Sequence, residues 1–271
     1  MPAIIERAPA KINLALHVLG RRTDGYHEID SVVAFADVGD RLMIEPATRN
    51  TLSVNGPFAA DVPQGDDNIM WSAWAHLNGI LPLPFVSAQL EKNLPVASGI
   101  GGGSADAAAM LRALLRLVGS SLNDNQIAGL AAIGADVPVC FVGKPAHITG
   151  IGEKISVLTE QLPPALVLAN PLVPCSTAEV FKAMGLQPGP MRSAPDKATW
   201  RNDMTAAAIQ VQPIISHVLS ALHKTNLFPV LMSGSGATCF GMAKSFADAK
   251  VEAAMLTSTH PNWWVKAARI I

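Results

Sequence analysis

The sequence predicts an α+β fold in two domains. Strand-like runs fill the first third, and helices and strands then mix without a regular βα alternation. A glycine-rich run at residues 99–103 passes directly into a strongly helix-forming segment. A doubly wound parallel sheet would need strand and helix to alternate throughout, and here they do not. With 271 residues, 49% of them hydrophobic and 15% charged, the chain can bury a large core and is long enough for two ordinary domains. It contains no internal repeat.

The first strand is expected at residues 11–18, where Ile12, Leu14, Leu16 and Val18 alternate with Lys11, Asn13, Ala15 and His17. A period of two marks a half-buried strand and aims Lys11 and Asn13 the same way. Asp24-Gly25 is a turn signal, and strand-like runs follow at 31–35, 41–44 and 51–54. Residues 67–77 read as a helix closed by Gly79, with Met70, Ala73, Trp74 and Leu77 inward, and 86–90 as a returning strand. Beyond the glycines, Ala107, Met110, Leu111, Leu114, Leu115 and Val118 recur at helical spacing until Gly119 can stop the helix. Another helix is expected over 124–132, ending at Gly134, with Ala135-Asp136-Val137-Pro138 leading away from it.

The second half begins near Gly152, with strand-like runs at 154–158 and 165–169. Ser176-Thr177-Ala178-Glu179 has capping-box spacing for a helix to Met184. Residues 186–197, rich in proline and polar groups, read as a loop or mobile segment. Helices around Pro213, a glycine turn at 234–236 between two strands, a helix near 247–255 and a last strand at 263–267 complete the chain.

A net charge of −1 leaves no basic surplus to draw the protein onto nucleic acid or an anionic membrane, which favours a small-molecule substrate. Glu6, Arg7 and Lys11 interrupt what a signal peptide or membrane span would require near the N-terminus, and no later run is long enough to cross a bilayer. Cys140, Cys175 and Cys239 are odd in number, far apart and without a CxxC spacing. That argues against a disulfide framework and a zinc site and for a reducing cytoplasm.

Residues 95–109 carry the chemistry. Glycines let the backbone approach an anion without a Cβ in the way, and the unpaired N–H groups of a helix's first turn then point at it. Such a loop also serves packing. It is not a Walker loop, since no lysine follows, nor a dinucleotide fingerprint, since Ser104 stands where the last glycine would be. Asp106 in the first helical turn reads as a dipole partner. Ser233-Gly234-Ser235-Gly236-Ala237-Thr238 reads equally as a flexible hairpin, Lys11 as a solvated surface group and Asp136 as a cap or turn former.

Together these pieces resemble a known family. Pro9-Ala10-Lys11-Ile12-Asn13-Leu14, then Gly20 through Gly25-Tyr26-His27-Glu28, are similar to the opening of one branch of the GHMP kinase superfamily. Leu94-Pro95 through Gly101-Gly102-Gly103-Ser104-Ala105-Asp106 resembles the superfamily's ATP-phosphate loop, Gly134-Ala135-Asp136-Val137-Pro138 its catalytic aspartate segment, and residues 233–238 its C-terminal glycine motif. The order is kept from residue 9 to about 240. The family's loop more often begins Gly-Ala-Gly-Leu where this chain has Ala97-Ser98-Gly99-Ile100, and often has Ser-Ser where this chain has Ser104-Ala105. Both changes keep the glycines needed for backbone approach. Residues 184–196 do not align.

The resemblance implies a two-domain GHMP kinase fold. Residues 1–152 would form an ATP-phosphate-binding and catalytic domain resembling a ribosomal-protein fold of the S-five type, and 153–271 a ferredoxin-like C-terminal domain. The implied reaction is ATP-dependent phosphorylation, with Mg²⁺, of the 2-hydroxyl of a methylerythritol linked to cytidine diphosphate, on the non-mevalonate route to isoprenoid precursors in a bacterial cytoplasm. Asp136 would take the hydroxyl proton, with Lys11 close by to orient that hydroxyl and counter negative charge, and Asn13 would hydrogen-bond the acceptor. Tyr26 would stack on cytosine, His27 hydrogen-bond its edge and Phe181 cover its other face; without the match, Tyr26 reads as a packed aromatic at a loop edge. Pro95, Gly99, Gly101, Gly102, Gly103, Ser104, Gly234 and Gly236 would serve the ATP phosphates, and Asn68 and Lys92 the adenine end. Kinases of mevalonate, homoserine or a sugar share the phosphate loop, and Gly25-Tyr26-His27 beside the Lys11/Asn13 strand argues against them. A nucleotide sensor would not need both Lys11 and Asp136, and neutral charge argues against an RNA-binding module.

Overall fold

The computed structural model describes residues 3–194 and 200–271. In chain order its elements are β1 (Ile4–Arg21), β2 (His27–Pro46), β3 (Thr51–Asn55), α1 (Ile69–Asn78), β4 (Val86–Glu91), α2 (Gly102–Val118), α3 (Asp124–Gly129), α4 (Val137–Val142), β5 (Ala146–Gly150), β6 (Lys154–Val157), β7 (Ala165–Asn170), α5 (Thr177–Met184), α6 (Thr205–Val211), α7 (Ile214–Leu222), β8 (Val230–Met232), β9 (Cys239–Ala243), α8 (Phe246–Thr259) and β10 (Trp264–Arg269). They gather into two compact units built from interleaved stretches. One comprises Met1–Ala10, Gly39–Val96 and Gly101–Gly143, and the other Lys11–Val38, Ala97–Ile100 and Lys144–Ile271. The packing thus interleaves the chain, whereas the sequence expectation divides it once, at residue 152.

In the first unit the end of β2 pairs antiparallel with β4, Arg41 opposite Glu91 and Pro46 opposite Val86, and β3 joins β4 in parallel. Helix α2 packs against α1 and α4. From Ala105 to Leu115 every residue of α2 except Arg112 is buried, and its alanines let neighbours approach closely. Asn68 caps α1 by accepting the Met70 amide at 2.9 Å. Asn123 and Gln126 close a capping box on α3.

In the second unit the start of β2 pairs antiparallel with β5, Ile29 opposite Gly150, and β5 with β6. Strands β7 to β10 form an antiparallel sheet in the order β10-β7-β9-β8, with α5, α6 and α7 between β7 and β8 and α8 between β9 and β10. That is the ferredoxin-like order. Val167, Ala169, Ile215, Val218, Leu222, Cys239, Ala253 and Leu256 fill its core.

Several elements differ from the sequence expectation. Strand β1 is longer than 11–18 and is buried on both faces from Ala10 to Val18, because its polar side chains meet polar partners instead of water. The two runs expected at 31–35 and 41–44 are one strand, β2. The expected helix over 124–132 is shorter, and a 3-10 turn, Leu130–Ala132, completes it. Pro138, read as leaving a helix, begins one: it stands in the first turn of α4, where its missing N–H costs nothing. Strand β5 carries too short a pattern to have been expected.

The segment expected as a loop after Met184 is pinned to β1 over its described part. Arg192 donates its amide to Leu19 O at 2.9 Å and Nη2 to Val18 O at 2.6 Å, and Gly189 donates to Arg21 O at 3.3 Å. Further along, Leu16 donates to Arg201 O and Asp203 to Leu16 O. Residues 195–197 of the expected loop lie outside the described residues.

Candidate active site

Gly99 and the second glycine motif pack backbone on backbone. A Cβ on Gly99, at φ +76°, would lie 2.6 Å from the carbonyl oxygens of Gly236 and Ser233, and one on Gly234 would lie 2.6 Å from Gly99 O. Side chains tie the turns together: Ser233 Oγ donates to Gly99 O at 3.0 Å, and Thr238 Oγ1 donates to Ser98 O at 2.6 Å. Ser233 and Thr238 are fully buried. The 233–238 segment is therefore an ordered turn, not a flexible hairpin. Asn202, which no sequence signal marked, supports it by donating to Met232 O and Gly234 O.

In the first unit, Gly101 at φ +66° starts α2, so Gly102 and Gly103 are the first helical residues. Helix geometry gives the first-turn amides of Gly102, Gly103 and Ser104 no intrahelical acceptor, an arrangement that is able to receive an anion. A Cβ on Gly134 would come within 4.0 Å of Ser104 Oγ. The turn that carries Asp136 thus lies beside the start of α2, with half-buried Asp136 at the N-cap position of α4.

Lys11 and Asn13 are each only 3% exposed. Lys11 Nζ donates to Asn13 Oδ1 at 2.9 Å, Asn13 Nδ2 to Ser31 Oγ at 2.9 Å, and Ser31 Oγ to Ala15 O at 2.5 Å. The Asn13 amide donates to Ser233 Oγ at 3.1 Å. Lysine and asparagine do share a strand face as expected. They form a buried relay fixed to the glycine turns, not a solvated surface pair.

At the Gly25 turn, Arg22 donates to Tyr26 O at 2.7 Å, and Tyr26 is 57% exposed. The ring of His27 lies flat on Phe181, centroids 4.0 Å apart at 9°. The structure therefore brings His27 and Phe181 together, with His27 over the Phe181 face that the sequence reading reserved for a base. Burial and the neighbouring Arg21 charge hold His27 below its ordinary 6.5, so its imidazole is neutral at neutral pH.

Asn68 and Lys92, expected at an adenine end, are placed inward. Both amide atoms of Asn68 are engaged, Oδ1 as the α1 cap and Nδ2 on Pro63 O at 2.6 Å. Lys92 is 2% exposed and its ammonium sits between Asp40 and Asp106. Each side chain completes hydrogen bonds of the fold. Asp106, read as a helix-dipole partner, instead accepts a hydrogen bond from the Lys92 ammonium; its place four residues before Met110 on the buried face of α2 was the available signal. Asp40 carried none. All three cysteines are buried, and burial pushes the Cys239 thiol up.

Among the described residues no helix is long and apolar enough to cross a membrane, and no group of three or more His, Cys, Asp or Glu could hold a metal ion. The family model for the GHMP kinases N terminal domain matches residues 68–144, and that for GHMP kinases C terminal matches residues 192–262. The chain is similar in fold to a homoserine kinase from Cytophaga hutchinsonii, TM-score 0.74 at 15% identity, covering 100% of this chain and 95% of that one. Fold and glycine turns define the class as GHMP kinases, enzymes that phosphorylate small molecules with ATP. A crystal structure of 4-(cytidine 5'-diphospho)-2C-methyl-D-erythritol kinase matches with TM-score 0.80 at 30% identity, over 98% of this chain and 99% of that one. A 4-diphosphocytidyl-2-C-methyl-D-erythritol kinase from a Bradyrhizobium species is 44% identical, covering 98% of this chain and 96% of the relative. One from Cereibacter sphaeroides is 45% identical, with 97% and 98% covered. The chain belongs to the 4-diphosphocytidyl-2-C-methyl-D-erythritol kinase family.

Proposed function

We propose that this chain transfers the γ-phosphoryl group of ATP to the 2-hydroxyl of 4-diphosphocytidyl-2-C-methyl-D-erythritol, on the non-mevalonate route to isoprenoid precursors. The observation that carries the reading is the likeness, at 44% identity over 98% of the chain, to a kinase named for that substrate. The buried Lys11–Asn13 relay and the glycine-led start of α2 support it.

Phosphoryl transfer needs donor and acceptor held in line and charge on the moving group stabilised. The amides of Gly102, Gly103 and Ser104 receive ATP phosphates, while Gly99, Gly234 and Gly236 keep side chains out of the approach and Pro95 shapes its entry. Asp136 accepts the proton of the 2-hydroxyl as its oxygen attacks the γ-phosphorus and ADP leaves. Lys11 counters the negative charge, and Asn13, its amide oriented by Lys11 and Ser31, hydrogen-bonds the acceptor. Neutral His27 reads the cytosine edge beside Tyr26 and Phe181. Asn68 and Lys92 act at the nucleotide end through the loops they hold. Mg²⁺, when bound with ATP, would neutralise phosphate charge. We keep residues 1–152 and 153–271 as the division of labour, since the two family models fall on either side of it. We infer a bacterial cytoplasmic setting, where ATP and a nucleotide-linked alcohol would be drawn on.

The reading is tested by offering Mg-ATP with 4-diphosphocytidyl-2-C-methyl-D-erythritol, mevalonate or homoserine and locating new phosphate by phosphorus NMR. A phosphomonoester at the 2-position of the first alone is expected. Phosphorylation of mevalonate or homoserine instead would overturn it.

A further inference from the structure

The Lys92 ammonium bonds Asp106 Oδ2 at 2.5 Å and Asp40 Oδ2 at 2.6 Å, and none of the three side chains is more than 4% exposed. The cluster lies against the first residue of α2: a Cβ on Gly102 would sit 3.2 Å from Lys92 Nζ and 3.9 Å from Asp40 Oδ2. Asp40 Oδ1 is filled by the amides of Asn93 and Leu94, at 2.6 and 2.8 Å. Asp106 Oδ1 is buried with no hydrogen-bond partner among the described residues.

With both carboxylates ionised, this cluster would carry a net negative charge beneath a helix start that receives phosphates. It would also leave a charged oxygen buried without a donor, which is among the costliest arrangements in a protein interior. A single proton on Asp106, shared toward Asp40, removes both problems and leaves one ammonium facing one carboxylate. We propose that Asp106 is a positioning residue held as a neutral acid, and that the Lys92–Asp40–Asp106 cluster fixes the first turn of α2 so that ATP affinity depends on its neutrality.

Burial and the Asp40 charge hold the Asp106 carboxyl well above the usual carboxylate range, outweighing the opposing pull of Lys92. Burial disfavours the Lys92 ammonium, but its interactions with Asp106 and Asp40 outweigh it and hold Lys92 above its ordinary value. Lys92 and Asp40 are the charges that act on Asp106. Of the elements packed on α2, α1 carries only His76, in its last turn, and α4 only the Cys140 thiol, with Asp136 preceding it. Glu6 on β1 pairs with Arg112 and Arg116 further along α2.

The inference rests on the reading that ATP phosphates dock at this helix start, so ATP binding is measured directly, without acceptor, alongside KM for ATP and kcat. As the pH is raised from neutrality, wild-type affinity is expected to weaken roughly threefold to tenfold as Asp106 ionises, with kcat following a separate profile. Asp106→Asn, which cannot ionise, is expected to lose that alkaline weakening. An infrared band of a protonated carboxylic acid at neutral pH is expected in the wild type and missing in Asp106→Asn. If ATP binds at no pH, the phosphate-loop reading falls and takes the inference with it. If ATP binds but the wild-type profile is flat, if the alkaline weakening persists in Asp106→Asn, or if the wild type lacks the infrared band, the inference alone is overturned. The band is read on the wild type, so the decision stands even where the variant fails to fold.

Discussion

His27 stacks on Phe181 and is held neutral by burial and by Arg21, so it can both donate to and accept from a base edge. Its lowered value fixes the sign of the pH dependence. Protonation favours the unfolded chain, so the stability His27 contributes is complete above pH 6.5 and is lost as pH falls from there through the lower folded value. KM for the cytidine substrate follows the same window, flat above it and rising below. His27→Ala is expected to raise that KM by about tenfold to a hundredfold with little change in KM for ATP, because the edge it serves loses a hydrogen bond. Steady-state kinetics with each substrate varied in turn would check this, and an unchanged KM for the cytidine substrate would remove His27 from base recognition. Lys11 and Asn13 were legible at this scale because period-two alternation alone puts them on one face. Lys92 and Asp106 were not, since their common partner Asp40 lies 52 residues before Lys92 and nothing local announces it.

Glycine placement decides the elements. Read along the chain, glycine-rich stretches suggest mobility, yet Gly99 and Gly234 are glycine because another backbone occupies the space a side chain would need. Gly99→Ala is expected to cost about 2–4 kcal/mol, combining left-handed backbone strain with a collision against two carbonyl oxygens. Urea denaturation would measure it, and a loss below about 0.5 kcal/mol would mean that the two turns are not packed as described. Helix and strand positions were legible from periodicity and caps, as at Ser176 and Gly119. Strand β2 was not read as one element because polar Asp37 and Asp40 break its apolar pattern, although Asp40 is buried and bonded. α4 was missed because proline was taken as a departure when it was a first-turn residue.

At the scale of the whole molecule, the α+β class was legible from the order of elements, and the ferredoxin-like second half only through the resemblance to the GHMP kinases. The grouping of residues 11–38 with the second half was not, since it depends on pairings such as Ile29 with Gly150 that no local pattern encodes. The same limit applies to the segment after Met184, whose polar composition suggested mobility while the Gly189 and Arg192 amides are bonded to β1. A strand that is buried on both faces and still carries Lys11 and Asn13 makes sense in a molecule built to hold those groups in place for chemistry. The most direct test of that account is ADP release from Mg-ATP, with and without 4-diphosphocytidyl-2-C-methyl-D-erythritol, in the wild type and in Asp136→Asn. The account predicts release that requires the substrate and falls by about 10²- to 10⁴-fold in Asp136→Asn with ATP affinity retained. Substrate-dependent release at the wild-type rate in Asp136→Asn would contradict it.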